Sequence, residues 1–125
     1  MKNAINWFEI PVSDYERAKK FYSAVLGEEI TDHHMEEQNV KYGIFHYDME
    51  SNKVGGAILQ MEGMNPSADG STVYLNGGDD LSIPLSKVES AGGKVVMPKT
   101  DIKENGFIAQ FIDTEGNRVA FHSMG

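Results

Sequence analysis

The sequence predicts an α+β protein built from two tandem βαβββ modules, and two observations carry that expectation. A turn sequence occurs twice: Asp48-Met-Glu-Ser-Asn-Lys-Val54 returns as Asp113-Thr-Glu-Gly-Asn-Arg-Val119, 65 residues later in a chain of 125. Its Asp, Glu, Asn and Val positions are identical and Lys is exchanged for Arg. Self-similarity at about half the chain length is the mark of a duplicated unit. The landmarks of two helix-like segments also coincide at an offset of 66: Asp14 with Asp80, Tyr22 with Val88, Val25 with Ala91, and Gly27 with Gly93.

Residues 3–12 read as a first strand, with Pro11 suited to a strand end. Ser13-Asp-Tyr-Glu16 has the Ser-x-x-Glu form of a capping box. The helix that follows presents Ala18, Phe21, Tyr22, Val25 and Leu26 as one apolar face and stops at Gly27. Strands are expected near 28–35, 40–47 and 54–60. Residues 61–71 have loop composition and form the predicted linker, so module one spans 1–62 and module two 72–125. The second module repeats the order, with a strand at 72–76 and a helix capped by Asp79 or Asp80 and running to Ala91. Gly92-Gly93 end it, and strands follow at 94–97, 107–113 and 118–123.

Composition narrows the function classes. With 11 Lys+Arg against 19 Asp+Glu, the net charge is −8. Nucleic-acid binding needs a basic footprint, which this chain lacks, and anionic membrane surfaces are disfavoured for the same reason. There is no cysteine, which excludes a disulfide framework and thiolate chemistry. No apolar run approaches a membrane span or a signal segment, so a cytoplasmic protein with a small-molecule partner is expected.

Phe8-Glu-Ile-Pro-Val-Ser-Asp14, Arg17-Ala18, Phe21-Tyr22 and Val25-Leu26-Gly27 resemble the opening of the vicinal oxygen chelate superfamily. That group includes glyoxalase I, extradiol dioxygenases and bleomycin-resistance proteins. Ala91-Gly92-Gly93-Lys94, Gly106-Phe107 and the Asp113–Asn117 turn extend the resemblance over essentially the whole chain. Thr114 stands where most relatives have Pro. The resemblance implies a cup-shaped mixed sheet that holds a ligand on its floor, and homodimers in which two chains share a cup.

It also implies where a divalent metal would be held: at Trp7, Gly55, Val73 and Ala120. None of these side chains offers a lone pair suited to such an ion, so no metal or other cofactor is expected. Strand alternation places Glu9, Ala57, Leu75 and His122 on the same faces two residues further along. Glu9 and His122 are therefore candidates for general base and acid, or for binding a polar ligand. Trp7 and Phe111 are candidate ligand walls or core residues. His46 is a candidate cup-lining residue. Lys99 is either an ammonium for an anionic ligand or a surface lysine.

The Asp32-His33-His34-Met35-Glu36-Glu37 segment suggests a metal, but adjacent His33 and His34 of a strand point to opposite faces and cannot share one ion, which leaves a site using His34 and Glu36 or, more plainly, a solvated strand and turn. The leading functional expectation is a metal-independent small-molecule-binding protein. The alternative is a glyoxalase I-related enzyme, using either Glu9 and His122 or an unconventional metal.

Overall fold

A strand, a helix and three strands are followed by the same order again. The computed structural model describes residues 4–46 and 54–125. The first module contains β1 (Trp7–Pro11), α1 (Tyr15–Leu26), β2 (Thr31–Asp32), β3 (Lys41–Ile44) and β4 (Gly55–Gln60). The second contains β5 (Val73–Asn76), α2 (Ser82–Leu85), β6 (Lys94–Asp101), β7 (Phe107–Ile112) and β8 (Arg118–Ser123). Each module forms its own four-stranded mixed sheet, ordered β1-β4-β3-β2 and β5-β8-β7-β6. In both, the first strand runs parallel to the last and the remaining pairs are antiparallel. The predicted two-module α+β fold is therefore observed. The first copy of the repeated turn, residues 48–53, lies outside the described residues.

One core serves both modules. Ile10, Val12 and Ile58 from the first sheet, Leu75, Phe111 and Phe121 from the second, and Tyr15, Phe21, Tyr22 and Val25 from α1 belong to one buried cluster. Helix α1 is its axle. Tyr22 meets Phe45 edge-on at 5.4 Å on the first-module side, and Phe21 lies 6.0 Å from Phe111 of β7. Gly93 makes the second contact possible, because a Cβ there would run into the Phe21 ring. Gly27 ends α1 in the left-handed region, at φ 70°, as the sequence predicts.

Two local expectations are corrected. The capping box does not form: Asp14 is the N-cap and accepts from the Arg17 amide at 3.1 Å. The second helix is regular only over Ser82–Leu85, then continues as hydrogen-bonded turns to Gly93. Pro84 contributes no amide hydrogen. The hydroxyls of Ser86 and Ser90 donate to the carbonyls of Ile83 and Lys87, competing with the helical ladder.

The N-terminus of α1 is capped from the other module. Glu115, in the repeated turn, accepts from the amide and hydroxyl of Ser13 (3.0 Å each) and from the Asp14 amide (2.8 Å). It also accepts from Arg17 Nε (2.7 Å) and Nη2 (3.0 Å) and from the Thr114 hydroxyl (2.9 Å). A carboxylate at a helix N-terminus meets both unpaired amides and the positive end of the dipole. Its turn partners complete the joint. Buried Asp113 receives the Tyr22 hydroxyl at 2.6 Å, while the Asn117 amide donates to the Pro11 carbonyl at 2.7 Å.

Burial alone would raise the Glu115 carboxyl, but the bonds from Arg17, Asp14, Thr114 and Ser13 outweigh it and hold it at about 2, against 4.5 when free. A depressed carboxyl stabilises the fold above its free value and loses that contribution as the pH falls through its folded value. The wild-type protein should therefore lose stability between pH 4.5 and about 2, with a smaller loss in Glu115→Gln. At pH 7, Glu115→Ala should cost about 3 kcal/mol, because Arg17 and the amides of Ser13 and Asp14 lose a buried acceptor. Urea unfolding across this pH range checks both outcomes.

Candidate functional site

The strand registers decide which side chains share the sheet faces turned away from the core. In the first sheet Trp7 stands opposite Gly55 and Glu9 opposite Ala57. In the second, Ala120 stands opposite Tyr74, and His122 opposite Asn76. The counterpart of Trp7 is thus Tyr74, at an offset of 67, and not Val73, which stands opposite Val119. The counterpart of Glu9 is Asn76, and buried Leu75 belongs to the core face. The offset of 66 holds for the helix caps but not for the first strands, because module two has one residue fewer between strand and helix.

On the first sheet's outer face, Trp7 Nε1 donates to the Tyr42 hydroxyl at 2.9 Å, and Tyr42 donates to Glu9 Oε2 at 2.7 Å. This chain spans three strands, passing from β1 to β3 across β4, where the intervening positions are the small residues Gly55 and Ala57. Burial and the bond to Glu9 raise the Tyr42 phenol, so Tyr42 remains the donor.

A cavity of about 1250 Å³ runs along β5. Phe8, Leu26, Phe45, Val73 and Leu75 provide its apolar wall. His122, Asn76, Asn105 and Tyr74 provide hydrogen-bonding groups, and His46 also lines it. His122 is oriented by the short turn Lys103–Asn105, since its Nε2 lies 2.7 Å from the Asn105 carbonyl. A carbonyl only accepts, so Nε2 carries a proton, and in the neutral form of the ring the acceptor is Nδ1. Gly106 brings that turn against β8: its φ is 96°, and a Cβ there would strike the Ser123 carbonyl.

The candidate residues from the sequence are thus divided. His46 and His122 line the cavity together. Glu9 and Trp7 sit on the first sheet's outer face, tied through Tyr42, and Glu9 is not among the described lining residues. Phe111 is fully buried in the core, stacked at 5.0 Å on Phe121. Lys99 pairs with Asp80 at 2.9 Å and lies 4.5 Å over the Phe107 ring, joining β6 to the start of α2. The Asp32–Glu37 segment is a structural corner. His34 Nδ1 accepts the Tyr42 amide at 3.0 Å, while Asp32 takes the hydroxyl of Tyr15 and the ammonium of Lys19.

Tyr42, Tyr74, Asn76 and Asn105 are the site residues that sequence reasoning missed. Tyr74 and Asn76 would have emerged from pairing β5 against His122 rather than from the helix offset.

The corrected positions do not fit the divalent metal that the resemblance implies. Trp7, Gly55 and Ala120 offer no donor, and Tyr74 offers a single phenol; this set does not suit a metal that prefers carboxylate and imidazole. Among the described residues, no three His, Asp or Glu side chains are grouped as a metal site elsewhere.

The sequence pattern of the Glyoxalase/Bleomycin resistance protein/Dioxygenase superfamily matches residues 4–121. The chain is 29% identical over 129 residues to CFP32, provisionally named a glyoxylase, of Mycobacterium bovis and Mycobacterium tuberculosis. That match takes in 91% of this chain but 43% of CFP32, so the chain spans less than half the length of these curated relatives. A mutant of glyoxalase I from Zea mays superposes with a TM-score of 0.73 at 21% identity, covering 94% of this chain and 45% of that one. A glyoxalase/bleomycin resistance protein from Albidiferax ferrireducens gives 0.71 at 16% identity, covering 98% of this chain and 100% of that one. At these identities the likeness to the solved structures is one of fold.

Gly56 links packing to the cavity. A Cβ on it would collide with the ring of Phe8, part of the apolar wall. Gly56→Ala should displace Phe8, cost about 1–3 kcal/mol of stability and weaken binding of any cavity ligand. Thermal unfolding paired with a ligand titration measures both effects.

Proposed function

The chain belongs to the Glyoxalase/Bleomycin resistance protein/Dioxygenase superfamily, and from that premise we propose that it is a small-molecule-binding protein that works without a metal. The observation that carries this reading is the cavity of about 1250 Å³, with its aromatic and aliphatic wall and a few hydrogen-bonding groups. Ligand sites commonly combine a mostly apolar concavity with a few placed hydrogen-bonding groups. The donor set at the four implied metal positions supports metal independence. No described helix is long and apolar enough to cross a membrane, and we place the protein in the cytoplasm.

A second reading is catalytic, and one observation favours it. The Asn105 carbonyl takes Nε2–H of His122, so that Nδ1 of the neutral ring is available as a base on the cavity wall. In this reading His122 would act without Glu9, whose carboxylate is engaged by Tyr42 on the first sheet's face.

A thermal-shift screen of small molecules separates the two readings. Binding without turnover is expected, with the unfolding temperature unchanged by chelator or added divalent metal; a ligand at about 100 times its Kd adds about 2.7 kcal/mol. Isomerisation of a hemithioacetal substrate, abolished in His122→Ala, would instead establish the enzyme. We also propose a homodimer, supported by Trp7 and Tyr74, which are 38% and 46% exposed on the outer faces. Sedimentation should give a dimer that Trp7→Glu and Tyr74→Glu shift to monomer.

A further inference from the structure

The charge of the ligand can be read from the cavity. Resting on the reading of this cavity as a ligand site, we propose that its ligand is an uncharged amphipathic molecule, with an apolar body and a hydrogen-bonding end. The body matches the wall of Phe8, Leu26, Phe45, Val73 and Leu75, whose two aromatic rings lie 5.5 Å apart. The polar end matches a small set of hydrogen-bonding side chains on β5 and β8. His122 spends Nε2 on the Asn105 carbonyl, which leaves Nδ1 for a ligand, as an acceptor in the neutral form of the ring. Asn76 Oδ1 already accepts the Gly78 amide at 2.9 Å, and its NH2 group remains to donate to a ligand. The Tyr74 phenol, on the same strand as Asn76, adds a group able to donate or accept.

Fixed charge argues against the other ligand classes. Among the described lining residues there is no Lys or Arg. Lys99 is committed to Asp80 and to the Phe107 ring. An anion entering this space would give up hydration without a Lys or Arg counter-charge from the described lining residues, against the field of a chain with net charge −8. Glu28 is the one carboxylate among those lining residues, and it is exposed. A cation paired with it would remain largely screened by water and gain little. An uncharged ligand incurs neither penalty.

A matched pair of dyes tests this on the full chain: uncharged N-phenyl-1-naphthylamine and its sulfonated relative 8-anilino-1-naphthalenesulfonate, titrated by fluorescence at pH 7.5. The uncharged probe should bind at least about tenfold more tightly. Ile108, half-buried in the cavity lining, supplies the control substitutions. Ile108→Trp should reduce binding of the uncharged probe by filling space. Ile108→Arg should shift the preference towards the sulfonate by supplying a cation. Circular-dichroism melts establish that each variant is folded, and either one alone carries the test.

Equal or tighter binding of the sulfonate to the wild-type protein would overturn the proposal while leaving the ligand-binding reading in place. So would uncharged-probe binding indifferent to both substitutions in folded variants. Binding of neither probe would count against the ligand-binding reading itself.

Discussion

The carboxylate of Glu115 is the joint on which the two modules are assembled. It leaves the second sheet on the turn between β7 and β8 and occupies the N-terminus of α1, a helix of the first module. There it collects the free amides of that helix and the guanidinium of Arg17. Its side chain is fully shielded from solvent, whereas that of Arg17 is 51% exposed. The arrangement therefore depends on dense hydrogen bonding rather than on the ion pair alone, since a buried carboxylate is tolerated only when its oxygens are satisfied. With α1 held at that end, Phe21 and Tyr22 are delivered to Phe111 and Asp113, and the two sheets share one core.

Sharing a core through α1 determines which faces remain for function. The core faces of both sheets are largely taken up by packing, which is why Phe111 lies inside, while core-face Leu75 packs at the margin and also reaches the cavity wall. The opposite faces carry the Trp7–Tyr42–Glu9 chain on one sheet, and Tyr74, Asn76 and His122 on the other. The cavity runs past β5, where apolar side chains of the core face meet polar ones of the opposite face. Its mixed chemistry follows from that position, because alternation along one strand supplies both kinds of side chain within a few residues.

Much of this was legible before any coordinates. The repeated Asp-x-Glu-x-Asn turn, the apolar face of α1 and the glycine at its end lead to two βαβββ units by local rules alone. What misled was the treatment of one offset as global. The caps align at 66, but the first strands align at 67, and a one-residue slip exchanges the two faces of a strand. It placed Val73 and Leu75 on the sheet face opposite to the core, where Tyr74 and Asn76 stand; all four line the cavity, but from opposite faces of β5. The paired role of Glu9 and His122 depended on both facing one space. Their actual partners, Tyr42 and the Asn105 carbonyl, lie 33 and 17 residues away and are chosen by sheet register and by the turn at Gly106.

The sequence by itself determined the element order, the duplication, the α1 face and the absence of metal donors at Trp7, Gly55 and Ala120, because these depend on residue type and short-range periodicity. Only the tertiary structure decided the rest. Ser13-x-x-Glu16 satisfies the local rule for a capping box, yet Glu115 takes the Ser13 amide and hydroxyl from a hundred residues away and Asp14 becomes the cap. Lys99 could have faced a ligand, yet Asp80 and Phe107 hold it. Each outcome is a competition between a local partner and a distant one. The distant partner prevails when folding buries it beside groups that would otherwise be left unpaired.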